Sequence, residues 1–138
     1  MLALAEQGGA AATAELERMA LEDPDGAVRS EAVLALADVN GEVPAAVISQ
    51  LLRDRDADVR KAAIDTLIWR GDDEAVRMLA VTMVDQDPSV RLHAVEGLGE
   101  IGGTSAIAML RQAQADADPA VRETATEVLD DLTPDTPH

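Results

Sequence analysis

The stretch DPSVRLHAVEGLGEIGG, from Asp87 to Gly103, decides the fold. Asp87 offers a carboxylate to the free N–H groups of a starting helix. Pro88 follows at the first helical position, where a missing N–H costs nothing. Val90, Ala94, Leu98 and Ile101 then recur at spacings of three and four, the signature of one buried helical stripe. Gly102-Gly103 supplies the stop, because glycine enters the left-handed conformation that closes a helix.

The same grammar occurs four times. Val-Arg pairs stand at Val28-Arg29, Val59-Arg60, Val90-Arg91 and Val121-Arg122, each 31 residues from the next. Asp23, Asp54, Asp85 and Asp116 keep that step, as do Asp25, Asp56, Asp87 and Asp118. So do Ala32, Ala63, Ala94 and Ala125, and Leu36, Leu67, Leu98 and Leu129. Aligned copies without insertion predict a solenoid, in which each unit buries its apolar face on its neighbours.

Each copy reads as two helices. The second helices are expected over 26–39, 57–70, 88–101 and 119–132, with Asn40-Gly41 and Gly71 as further stops. The first helices are expected over 12–22, 43–53, 74–84 and 105–115, with Pro44 in an opening turn. Their methionines, Met78 and Met109, read as core filler. At the start, Leu4-Ala5-Glu6-Gln7-Gly8-Gly9 resembles Leu98 to Gly103 and reads as the tail of a preceding second helix. The division expected is therefore a partial repeat over 1–11 and repeats over about 12–41, 42–72, 73–103 and 104–132. Residues 133–138 form a frayed tail.

Composition narrows the partners. The chain is 47% hydrophobic but only 1% aromatic, so Ala, Leu, Val, Ile and Met must build the core around a single aromatic residue, Trp69. A formal charge of −16 repels phosphate backbones and anionic lipid, which disfavours nucleic acid and membrane and favours a basic protein or peptide. A salt-adapted or GC-rich source accounts for the charge equally well. The chain has no cysteine, which excludes disulfides and thiolate chemistry. No signal peptide or membrane span is legible, so cytoplasm is the default. The oligomeric state is not encoded in any of these features.

The Asp-x-Asp-x-x-Val-Arg run with its Ala and Leu stripe resembles short HEAT repeats, of the type also found in phycobilisome-lyase-like proteins. The resemblance covers residues 12–132. It implies that Asp23, Asp54, Asp85 and Asp116 form a structural ladder with Arg29, Arg60, Arg91 and Arg122. Opposite charges six residues apart across a turn can share such bonds along a stack. It also implies that second helices line a concave face where partners bind.

On those helices, positions facing away from the core stripe change type from copy to copy. The series are Ser30, Lys61, Leu92, Glu123; Leu34, Asp65, Glu96, Glu127; and Asp38, Trp69, Glu100, Asp131. Variable residues on a regular scaffold are where specificity is written. The binding residues expected are Leu34, Asp38, Lys61, Asp65, Trp69, Leu92, Glu96, Glu100 and Glu127. Leu34, Trp69 and Leu92 would be apolar anchors within a carboxylate-rich rim that selects lysine or arginine. The plainer alternative is that Trp69 covers a joint between helices.

No catalytic residue, metal ligand or cofactor emerges. Asp54, Asp56 and Asp58 alternate as in calcium loops, but the glycine and terminal glutamate of an EF-hand are missing. His93 with Glu96 is too few ligands for zinc. The paired His-Glu motifs of HEAT-type deoxyhypusine hydroxylases are absent. A HEAT-type DNA glycosylase would need a basic, aromatic-lined groove. The sequence therefore predicts an all-α, right-handed α-solenoid of four HEAT-like helix pairs plus a partial N-terminal repeat, serving as a non-catalytic binding scaffold. The alternatives are a lyase-type accessory subunit of a larger assembly, or a structural spacer.

Overall fold

The computed structural model describes residues 2–40 and 43–133. Met1, the helix stop expected at Gly41 and the tail from Pro134 to His138 lie outside the described residues. Within them the chain is all-α and shows no strand: α1 (Leu2–Glu22), α2 (Gly26–Asn40), α3 (Ala45–Leu51), α4 (Ala57–Arg70), α5 (Asp73–Leu79), α6 (Pro88–Ile101), α7 (Gly103–Ala113) and α8 (Pro119–Leu132). A 3-10 turn over Ala80–Val84 extends α5. Helix pairs repeating along the chain make it an α-solenoid.

The second helices, α2, α4, α6 and α8, begin and end where the chemistry marks them. At every start the second aspartate caps: Asp25, Asp56, Asp87 and Asp118 accept from the N–H groups of Ala27, Asp58, Ser89 and Ala120 at 2.8–2.9 Å. At the far end Gly71 and Gly102 adopt φ of 61° and 67° and donate to Leu67 and Leu98 carbonyls at 2.9 Å. Thr133 makes the equivalent bond to Leu129 at 2.9 Å without a left-handed backbone.

The first helices depart more from expectation. No break occurs at Gly8-Gly9, and α1 runs continuously from Leu2 to Glu22. A glycine pair in a helix interior costs about 2 kcal/mol relative to alanine. Ala10-Ala11-Ala12 follow at once, so nothing downstream requires a stop. The partial repeat expected over 1–11 is thus continuous with the first helix of the next. In the third copy, the helix expected to reach residue 84 tightens to 3-10 after Leu79. Thr82 is buried and its hydroxyl donates to the Leu79 carbonyl, three residues back. That bond competes with the helical N–H ladder and shortens the turn.

The chain divides into two compact units, residues 1–66 and 67–138. In the first, α1 packs on α2 and α3. Its core is built from residues such as Val33, Leu36, Ile48, Leu51, Val59 and Ile64, all buried. In the second, α6, α7 and α8 pack against one another, and α5 with its 3-10 turn packs on α7. Leu79, Val90, Leu98, Leu110 and Val121 are buried there. Ile101, the last residue of the expected stripe, is only half-buried.

Glycine sets helix spacing inside the second unit. A Cβ on Gly97 would lie 2.2 Å from Ile68 Cδ1, and one on Gly99 would lie 2.5 Å from Val128 Cγ1. Positions 68 and 99 are equivalent in the repeat, as are 97 and 128. The two joints are therefore the same contact with the large and small partners exchanged.

Candidate partner-binding face

Each repeat's arginine organises the loop before its second helix. Arg29 grips Asp54 with two parallel bonds, Nε to Oδ2 at 3.0 Å and Nη2 to Oδ1 at 3.0 Å. Its Nη1 donates to the Asp23 carbonyl at 2.7 Å. In the second unit Arg91 repeats this on Asp116, at 2.9 and 3.0 Å, while Nη1 donates to the Asp85 carbonyl at 2.6 Å. Arg60 and Arg122 bond in the same way to the carbonyls of Asp54 and Asp116, at 2.7 and 2.8 Å. One guanidinium thus ties its own loop to the aspartate of the following repeat.

The aspartates are held on three sides. Asp54 Oδ1 also accepts from Asp56 N–H at 2.8 Å, and Asp116 Oδ1 from Asp118 N–H at 2.9 Å. Asp23 and Asp85 accept equivalent bonds from Asp25 and Asp87. Burial pushes the Asp54 and Asp116 carboxyls up, but the arginine and the backbone N–H together outweigh it, so both are held below the usual carboxylate range. Within the alternating trio, Asp54 and Asp56 thereby spend carboxylate oxygens on the backbone N–H groups of Asp56 and Asp58. Among the described residues no three His, Asp or Glu side chains are grouped to hold a metal ion.

The expected binding positions fall in both units. In the first unit Leu34 is 37% exposed and Asp38 is exposed, whereas Lys61 and Asp65 are half-buried. In the second unit Trp69 is 63% exposed, the largest apolar side chain left in solvent among the described residues. Its neighbour Ile68 packs over Gly97, which sets the end of α4 beside α6. Glu96, Glu100 and Glu127 are exposed on α6 and α8, which pack together, so these carboxylates share one region. Leu92 is half-buried on α6. His93 is also half-buried.

The expected binding positions do not account for every exposed apolar residue. Val39, Val81 and Val84 are 55%, 55% and 82% exposed. The signal for the last two lay in the first helices: in the series Met19, Gln50, Val81, Gln112 and Glu22, Arg53, Val84, Ala115, only the third copy has a large apolar residue at both positions.

Comparison with known proteins agrees with the repeat pattern. A family model described as HEAT repeats matches residues 44–130, well over half of the chain. No curated protein matches. Among solved structures, human deoxyhypusine hydroxylase in complex with glycerol is similar with a TM-score of 0.71 and 26% identity, over 87% of this chain. The chain spans only 43% of the length of that protein.

Proposed function

Because this chain belongs to the HEAT-repeat family, we propose that it is a non-catalytic scaffold whose second helices bind a protein or peptide rich in lysine or arginine. The observation that carries this reading is Trp69, 63% exposed at the end of α4 in a unit whose second helices present Glu96, Glu100 and Glu127. A tryptophan left in water is a poor use of apolar surface in a monomer and a common anchor in an interface. Carboxylates on the second helices of the same unit add attraction for cationic side chains and discriminate against acidic partners.

The lone tryptophan also provides the test. The free protein should show red-shifted Trp69 emission that acrylamide quenches readily. Titration with a synthetic helical peptide of arginine and leucine should shift that emission saturably. Raised salt and Glu96→Lys should each weaken the binding by about tenfold, the equivalent of one desolvated contact. Blue-shifted, protected emission would make Trp69 a packing residue. Capture of the peptide with no change at Trp69, or equal capture by Glu96→Lys, would sink the proposed face.

The structural similarity to the human hydroxylase favours a second reading, in which the chain takes part in an enzyme. The residues support it less well than they support a scaffold. His93 is the one histidine among the described residues, and it has no group of carboxylates arranged with it for a metal. A lyase-type accessory role would show as uptake of a tetrapyrrole, visible in absorption. A pure spacer would bind neither probe.

A further inference from the structure

The second unit carries a face unlike the acidic one. Arg77 and Arg111 are exposed in the last turns of α5 and α7, and no described carboxylate pairs with either. In a chain with 27 acidic and 11 basic residues, arginines without partners are unexpected. Their position at helix C-termini is favourable in itself. That does not explain the valines beside them. Arg77, Val81 and Val84 succeed one another at spacings of four and three, which puts them on one side of α5 and its 3-10 extension. Val81 and Val84 are 55% and 82% exposed. The neighbouring α7 packs against this segment, and Arg111 occupies the repeat position of Ala80, itself exposed.

Beyond the first turn of α5, which carries Asp73 and Glu74, this surface has no acidic residue. None stands between Glu74 and Asp85, and α7 contains none along its whole length. The second helices of the same unit carry Glu96, Glu100, Glu123, Glu127, Asp130 and Asp131, all exposed. Within one unit, then, α5 beyond its first turn, its 3-10 extension and α7 present arginine and valine without carboxylate, and the second helices present carboxylate.

We propose that Arg77, Val81, Val84 and Arg111 form a second docking surface, which takes an amphipathic acidic segment of a partner protein. Leucine-like side chains would cover the two valines, and glutamate or aspartate on the flanks would pair with the two arginines. Charge complementarity fixes the sign of the occupant, because the attraction at close range is to carboxylate. The rest of the chain repels such a partner at long range. At physiological ionic strength the screening length is about 8 Å, so the local pairs prevail over that distant repulsion. This surface is independent of the Trp69 face and would select a partner of the opposite charge.

The test uses the full chain and a fluorescein-labelled synthetic helical peptide with leucine on one face and glutamate on its flanks, read by anisotropy at physiological salt. A matched peptide with lysine in place of glutamate is the control. V81Q/V84A borrows the residues that other repeats carry at those positions, Gln50, Gln112 and Ala115, so it keeps the fold. R77E/R111E is the charge variant, and circular dichroism checks both. The acidic peptide should bind saturably and lose about tenfold affinity in each double variant, while Trp69→Ala leaves its binding unchanged. Equal or tighter Val84-dependent binding of the lysine peptide would overturn the proposal, as would acidic-peptide binding indifferent to both double variants. Phosphatidylserine vesicles captured through Val81 and Val84 would reassign the face to a lipid surface and overturn it too. So would self-association abolished by V81Q/V84A, which would make the occupant a second copy.

Discussion

Asp116 performs three tasks at once. Its carboxylate receives the Arg91 fork, Oδ1 accepts from Asp118 N–H, and its carbonyl accepts from Arg122. The side chain is only 10% exposed and Arg91 15%, so removing the charge leaves a part-buried guanidinium without its partner. Asp116→Asn keeps the shape and should cost about 2 kcal/mol at neutral pH. The pH dependence follows from the depressed carboxyl of the folded state. An unfolded aspartate titrates near pH 3.9, and between that and the lower folded value the unfolded chain binds the extra proton. The contribution is therefore fully present above about pH 4 and is lost as the pH falls through the folded value. Urea unfolding across a pH series should show the gap between wild type and Asp116→Asn closing below about pH 4. A gap that stays constant down to the acid limit would mean that the carboxylate charge is not what holds the loop.

At the scale of helices, the joints in the second unit depend on glycine meeting a branched side chain. Gly97→Ala would gain about 1 kcal/mol of helix propensity. The new methyl would meet Ile68 at 2.2 Å, and overpacking of that kind costs about 1–3 kcal/mol. The variant should therefore be destabilised by up to about 2 kcal/mol, and adding Ile68→Val should recover part of the loss although Ile68→Val alone destabilises. Additive losses in denaturant melts would show that the two residues do not share the joint. This pairing was hidden in the sequence, because the repeat pattern does not show which side chain a glycine faces. The second helices themselves were legible nearly to the residue, because aspartate marks each start and glycine marks the ends of α4 and α6. First helices carry weaker marks. Gly8-Gly9 resembled a stop yet demanded no left-handed turn, and Thr82 acts through a hydroxyl bond that periodicity does not register. At the proposed binding positions, variability along the series pointed to Trp69, but how far Leu92 is covered depends on neighbours rather than on spacing.

For the whole molecule, net charge is the dominant long-range quantity. Local ion pairs such as Arg29 with Asp54 are short and largely buried, so salt screens them weakly. The repulsion among the surplus carboxylates acts through solvent over longer distances and is screened strongly. With a formal charge of −16, compaction brings those charges closer than they stand in the unfolded chain, which destabilises the folded state. Added salt should therefore stabilise this protein, against the expectation for one held by surface salt bridges. Raising sodium chloride from about 10 mM to about 150 mM shortens the screening length from about 30 Å to about 8 Å and should raise the melting temperature by several degrees. Most of the rise should occur within that range, and sodium and potassium chloride should act alike, because screening depends on ionic strength and not on a bound ion. A melting temperature that falls with salt would show that paired charges outweigh the surplus. A rise confined to one cation would point to specific binding and remove screening as the cause.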